Sequence, residues 1–180
     1  MSMKILIAPL NWGLGHASRC VPLIARLCTE GHEVVLGGDG DALTYLRQHF
    51  PHLRSIELAH LNLRYSAGKR QVLAMMVAIP KLIAFSLRDH RLLRQLQSVE
   101  HFDQVISDNR FGLYLSAQQS YNEVVVQRSG RTAQRSCSAA VNVYITHQLH
   151  IMLPRPYKWL EPLVSRMHAR IYNRYGEVWV

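Results

Sequence analysis

Lys4-Ile5-Leu6-Ile7-Ala8-Pro9-Leu10-Asn11-Trp12-Gly13-Leu14-Gly15-His16-Ala17-Ser18-Arg19 is the stretch on which the fold turns. Its first five residues are a short apolar run closed by Pro9, the pattern of a strand buried on both faces of a parallel sheet. From Ser18 to Glu30, apolar side chains recur at Val21, Ile24, Ala25, Leu27 and Cys28, which is helical spacing. The unit is strand, glycine loop, helix, with His16 at the helix mouth. Gly13 and Gly15 let a ligand approach the backbone, and the first N–H groups of a helix favour an anion. One reading is a site for a phosphate, sugar or acidic group with His16 as proton acceptor. The other is a plain β–α turn whose glycines serve only the backbone angles. The loop by itself does not separate them.

Outward from this unit, strands and helices alternate. Gly31-His32 stops the helix, and a second short strand covers Glu33 to Leu36. Gly37-Gly38-Asp39-Gly40-Asp41 reads as a flexible turn, Ala42 to His49 as a short helix, and Arg54 to Leu58 as a third strand. A long helical segment runs from Lys69 to about Ser98. Gln104 to Ser107 is the fourth strand, ending in Asp108-Asn109-Arg110, and Val141 to Thr146 the fifth, ending in His147-Gln148-Leu149-His150. Tyr157 to Tyr172 is amphipathic, with Leu160, Leu163, Val164, Met167 and Ile171 apolar and Lys158, Arg166, Arg170 and Arg174 on another face. Glu177 to Val180 begins a further strand.

This alternation predicts an α/β fold, a Rossmann-like doubly wound parallel sheet. In the usual strand order the first and fourth strands are neighbours at the switch point, where ligands bind beyond the carboxyl ends. The loops starting at Pro9 and Asp108 then face each other. The polar, basic stretch 116–142 is an atypical insertion, long for a connection in a compact α/β domain.

The 180 residues are 48% hydrophobic and 18% charged, enough to bury a core, so a disordered tail is excluded. A formal charge of +9 points to anionic partners. Cys20, Cys28 and Cys137 lack metal or redox spacing and suit a reducing compartment. No secretory signal is evident. Val72 to Leu87 is apolar but too short to span a bilayer and contains Pro80 and Lys81. It reads as a core helix kinked at Pro80; Arg64, Lys69, Arg70, Arg88, Arg91 and Arg94 around it make surface contact with an acidic membrane the alternative.

His16 and Asp108 are the candidate catalytic pair: a carboxylate accepting from one imidazole nitrogen orients the ring and prepares the other as a base. The alternative for Asp108 is a strand-end turn residue. Arg19 and Arg110 are candidate partners for phosphate or carboxylate, beside ordinary solvated arginine as the plainer reading. His147 and His150 would line the same crevice. They lack a third ligand, so no metal is expected, and His147 is better read as a substrate contact or as a hydrogen-bonding turn residue. Gly13-x-Gly15 lacks the third glycine of the dinucleotide fingerprint, so no nicotinamide cofactor is expected. No aromatic residues alternate with the basic charge on a strand face, and nucleic acid is not an expected partner.

Residues 4–19 resemble the opening of bacterial glycosyltransferases of the two-domain GT-B type. They are similar in particular to a group found in Bacteroidetes, related to the N-acetylglucosaminyl transferase of peptidoglycan lipid intermediates. Ile106-Ser107-Asp108-Asn109-Arg110-Phe111-Gly112-Leu113-Tyr114 and Tyr144-Ile145-Thr146-His147-Gln148-Leu149 match the same group, and Glu177-Val178-Trp179-Val180 matches the strand before its interdomain linker. The resemblance implies the N-terminal half of a GT-B fold. Residues 1–175 would form an acceptor-binding domain and 176–180 the strand leading to the linker, with the C-terminal donor domain absent. It implies hexosyl or N-acetylglucosaminyl transfer from a nucleotide sugar, a UDP-sugar, to an acceptor hydroxyl that is in some members lipid-linked. His16 would be the general base supported by Asp108, with Gly13, Gly15, Arg19, Asn109, Arg110 and His147 binding substrate and neither metal nor other cofactor required. A cytoplasmic protein, peripheral at the inner membrane face, is the expected setting. The stretch 116–142 and the lack of a donor half depart from the family pattern. The competing expectation is a non-catalytic module that binds a sugar, phosphate or lipid headgroup through the same loop.

Overall fold

The computed structural model describes residues 2–61, 71–114, 141–145, 158–159, 161–173, 175 and 177–179. Ten elements follow in order: β1 (Lys4–Pro9), α1 (Leu14–Thr29), β2 (Glu33–Gly38), α2 (Gly40–His49), β3 (Ser55–Glu57), α3 (Gln71–Val99), β4 (Gln104–Asp108), β5 (Val141–Ile145), α4 (Glu161–Tyr172) and β6 (Glu177–Trp179). The strands form one parallel sheet in the order β3-β2-β1-β4-β5-β6. This is the doubly wound, Rossmann-like arrangement expected from the alternation of elements, and its switch point lies between β1 and β4.

Successive side chains of β1 point to opposite faces, and each face builds its own core. Ile5 and Ile7 join Val34, Leu36, Ile106 and Val143 beneath Ala17, Cys20 and Ile24 of α1 and Leu43 and Leu46 of α2. Leu6 and Ala8 join Val35, Val105, Leu113 and Leu93 of α3 on the other side. A strand covered by helices on both faces must be apolar at every position, which is why residues 5–8 form an unbroken run.

Four local expectations change. Helix α1 begins at Leu14 rather than Ser18, after Gly13 turns the chain at φ +75°. The first-turn N–H groups need no intrahelical partner, so Gly15 and His16 enter the helix at low cost. Gly37 and Gly38 belong to β2 and not to a flexible turn. A Cβ at Gly37 would lie 3.0 Å from Leu58 and 3.1 Å from Leu6, so glycine there serves close packing. Helix α3 passes through Pro80 and buries one stripe, Phe85, Asp89 and Leu93, while Ile83 and Leu87 remain about half exposed. On α4, Leu163 and Met167 of the expected apolar face are exposed. No helix among the described residues is long and apolar enough to cross a membrane. Residues 116–140 of the expected insertion, with Cys137 and His147, lie outside the described residues.

Candidate active site

The register sets β1 and β4 side by side with Pro9 opposite Asp108, and the Leu10 N–H donates to the Asp108 carbonyl at 2.8 Å. The two strands therefore end at one level, and the loops that follow them face each other. His16 comes from the first turn of α1. Its Nδ1 lies 3.0 Å from Asp108 Oδ1. Asp108 is fully buried, whereas the His16 side chain keeps 12% of its surface exposed. A carboxylate only accepts, so the contact is a hydrogen bond in the tautomer that carries its proton on Nδ1, which puts the lone pair on Nε2.

Arg19, one helical turn beyond His16, is drawn to the same carboxylate. Its Nε–H donates to Oδ2 at 2.5 Å and its Nη2–H to Oδ1. The hydrogen bonds to Asp108 hold the Arg19 guanidinium above its ordinary value. Cys20 packs its sulfur 3.9 Å from Oδ2, and burial, followed by the nearby carboxylate charge, pushes its thiol up to about 12.

Asn109 follows with φ +57°, a left-handed conformation that asparagine tolerates better than most residues. Its Oδ1 accepts from the Tyr144 hydroxyl at 2.9 Å, which ties the β4 loop to β5. Gly13 and Gly15 are exposed at the start of α1, and a Cβ on either would meet nothing within 4 Å. Trp12 and Leu14 flank them, 40% and 47% exposed. Among the described residues no side chain caps α1 by a hydrogen bond and no acidic residue lies in its first turn, and such a positive end favours an anion.

Arg110, expected as a partner for phosphate or carboxylate, pairs with carboxylates of this chain. Its side chain is completely buried. Nε donates to Asp89 at 2.8 Å, Nη1 to Asp39 at 2.6 Å, and Nη2 to the Ala59 carbonyl at 2.6 Å. The Phe85 ring lies 4.9 Å from the guanidinium carbon. Two carboxylates, one carbonyl and a ring occupy this cation, so it braces the loops after β2, β3 and β4 from beneath instead of facing the crevice. Burial pushes the Asp89 carboxyl up, with Arg110 opposing. His60 reaches Asp39 at 2.8 Å, and Asn11 of the glycine loop accepts from the Ala42 N–H at 3.3 Å. Gly112 completes the brace: a Cβ there would come within 2.1 Å of the Ser86 carbonyl oxygen.

Sequence reasoning missed Asp39 and Asp89 as partners of this arginine. The signal for Asp89 was present, since it stands four residues from Phe85 and from Leu93 on the buried stripe. A charge on such a stripe needs a buried partner. Among the described residues, no group of three or more His, Cys, Asp or Glu side chains is placed to hold a metal ion.

Fold and site together define a Rossmann-like α/β domain with a histidine–carboxylate pair at its switch point. No family model matches the sequence. No curated protein matches it either. Solved structures do. CalG4, the calicheamicin glycosyltransferase, superposes with a TM-score of 0.54 at 12% identity, over 92% of this chain and 37% of that one. SsfS6, a glycosyltransferase of Streptomyces sp. SF2575, gives 0.53 at 13% identity, over 94% and 44%. The glycosyltransferase SnogD from Streptomyces nogalater gives 0.52 at 19% identity, over 98% and 41%. The chain thus spans less than half the length of these proteins, and it shares the Rossmann-like fold of GT-B glycosyltransferases.

Proposed function

We propose that the chain is the N-terminal, acceptor-binding half of a GT-B glycosyltransferase, moving a hexosyl or N-acetylglucosaminyl group from a nucleotide sugar to an acceptor hydroxyl. The observation that carries this reading is the 3.0 Å contact between His16 and a fully buried Asp108 at the ends of adjacent strands. His16 Nε2 takes the acceptor's hydroxyl proton. The acceptor oxygen bonds to the anomeric carbon as the bond from that carbon to the donor's phosphate oxygen breaks, and the nucleotide diphosphate leaves with the electron pair. Asp108 orients the ring and steadies the imidazolium that forms. The N-terminus of α1, with Gly13 and Gly15, suits the negative charge on the departing phosphate. Asn109 and His147 are proposed to border the acceptor, and Arg19 to act through Asp108. The donor pocket belongs to a second domain.

The resemblance of residues 4–19 supports a finer assignment to the Bacteroidetes-type group, with a UDP-sugar donor, a lipid-linked acceptor and a cytoplasmic site at the inner membrane face. Exposed Lys81, Arg88, Arg91 and Arg94 beside Ile83 and Leu87 on α3 support membrane contact. Co-sedimentation with vesicles that rises with acidic lipid and falls with salt is the expected result; indifference to both removes the membrane. For the reaction itself, glycosyl transfer by the chain joined to a donor half, with and without His16→Ala, is the test. Saturable sugar or phosphate binding without turnover would favour a binding module instead.

A further inference from the structure

Asp108 has more partners than a histidine–carboxylate pair needs. Its side chain is buried, and both oxygens accept from Arg19, with His16 sharing Oδ1. The other groups facing this cluster among the described residues are the Cys20 thiol of α1, 3.9 Å from Oδ2, and Tyr144 of β5, whose phenol donates to Asn109. The Cys20 thiol carries no charge at neutral pH, because burial holds it protonated up to about 12.

We infer that Arg19 is the counter-charge of Asp108, a positioning residue that lets the carboxylate hold His16 through Nδ1–H without drawing a second proton onto the ring. The inference rests on the reading of His16 as a base. A carboxylate beside an imidazole favours the imidazolium, and an imidazolium has no lone pair with which to accept a proton. A buried Asp108 without a cation would exert that pull in full. A guanidinium stays charged at any working pH and fits a carboxylate with two parallel hydrogen bonds. Arg19 Nη2 also approaches His16 Nδ1 to 2.9 Å, so a positive ring would meet a second positive charge. Both effects keep the neutral ring available. The same short approach defines the rival arrangement, in which Arg19 donates to a bare Nδ1 and His16 presents Nε2–H to the crevice.

Long-range proton–nitrogen correlation spectra of the chain labelled at histidine nitrogens separate these states, with the His16 signals identified by their loss in His16→Gln. The expected result is a neutral ring protonated at Nδ1 in the unaltered chain. In Arg19→Met or Arg19→Gln the His16 titration midpoint should move up by about one pH unit, while Arg19→Lys, which keeps the charge and loses the fork, stays near the parent. A neutral ring protonated at Nε2 in the unaltered chain overturns the inference without any variant. So does an unmoved midpoint in a neutral variant whose backbone spectrum shows a folded chain, or a shift in Arg19→Lys as large as in the neutral variants. Transfer that depends on His16 while the midpoint ignores Arg19 would defeat this inference alone. Transfer indifferent to His16 alongside the predicted shifts would defeat only the base assignment.

Discussion

At position 109 the backbone sits at φ +57° while the side chain accepts from Tyr144 at 2.9 Å. Asn109→Ala should cost about 1–2 kcal/mol, from left-handed strain and a lost hydrogen bond; Asn109→Gly should cost less, because glycine removes the strain. Urea unfolding of the two variants checks the order. Cys20 yields a second expectation. With its thiol raised to about 12, almost none of it is thiolate at pH 8, so iodoacetamide should leave Cys20 unmodified in the folded chain and label it after denaturation. Peptide mass spectrometry reads the difference. At this scale the meeting of His16 with Asp108 was legible, because a glycine loop after a buried strand and a polar triplet ending another mark two facing loops. Arg19's true partner was not. With a helix starting at Ser18, His16 lies in the loop, and only the observed start at Leu14 places residues 16 and 19 on one helical face.

Among the elements, α3 shows how a buried charge organises a crevice from behind. Asp89 stands on its buried stripe and receives Arg110, which also receives Asp39 from the β2–α2 junction. Removing one partner of a buried pair leaves the others uncompensated. Arg110→Met should therefore destabilise the chain by about 3–5 kcal/mol in chemical denaturation. A loss under 1 kcal/mol would mean that the brace is not needed. The sequence marked α3 as a core helix but not which face it buries, because apolar residues occur nearly all round it and only packing chooses among them. At the opposite end of the sheet, Lys4 reaches Glu100 at 2.6 Å and Glu33 at 2.8 Å, with Arg54 also on Glu100. The hydrogen bond from Lys4 holds the Glu100 carboxyl below its ordinary value of 4.5. That stabilisation is present above pH 4.5 and is lost as the pH falls through the folded-state value. Glu100→Gln should flatten the acid side of a stability–pH curve, and an unchanged curve would contradict the pairing.

For the whole molecule, the strand order 3-2-1-4-5-6 converts a local loop into a site. It places β1 beside β4 although α1, β2, α2, β3 and α3 intervene in sequence, and so brings residues 16 and 108 within hydrogen-bonding distance. The alternation of short apolar runs and helical segments made this order legible, because right-handed crossovers leave few ways to pair parallel strands. Ion pairs reaching across the chain, such as Asp39 with Arg110, left no local periodicity and became visible only in three dimensions. By the proposed reaction, His16 at the ends of β1 and β4 is the base of a sugar transfer. The most direct measurement of this role is the rate of transfer from a nucleotide sugar by the chain joined to a donor half, compared with the same protein carrying His16→Ala. Transfer should fall about 10²–10⁴-fold in the variant; an undiminished rate would show that His16 is not the base.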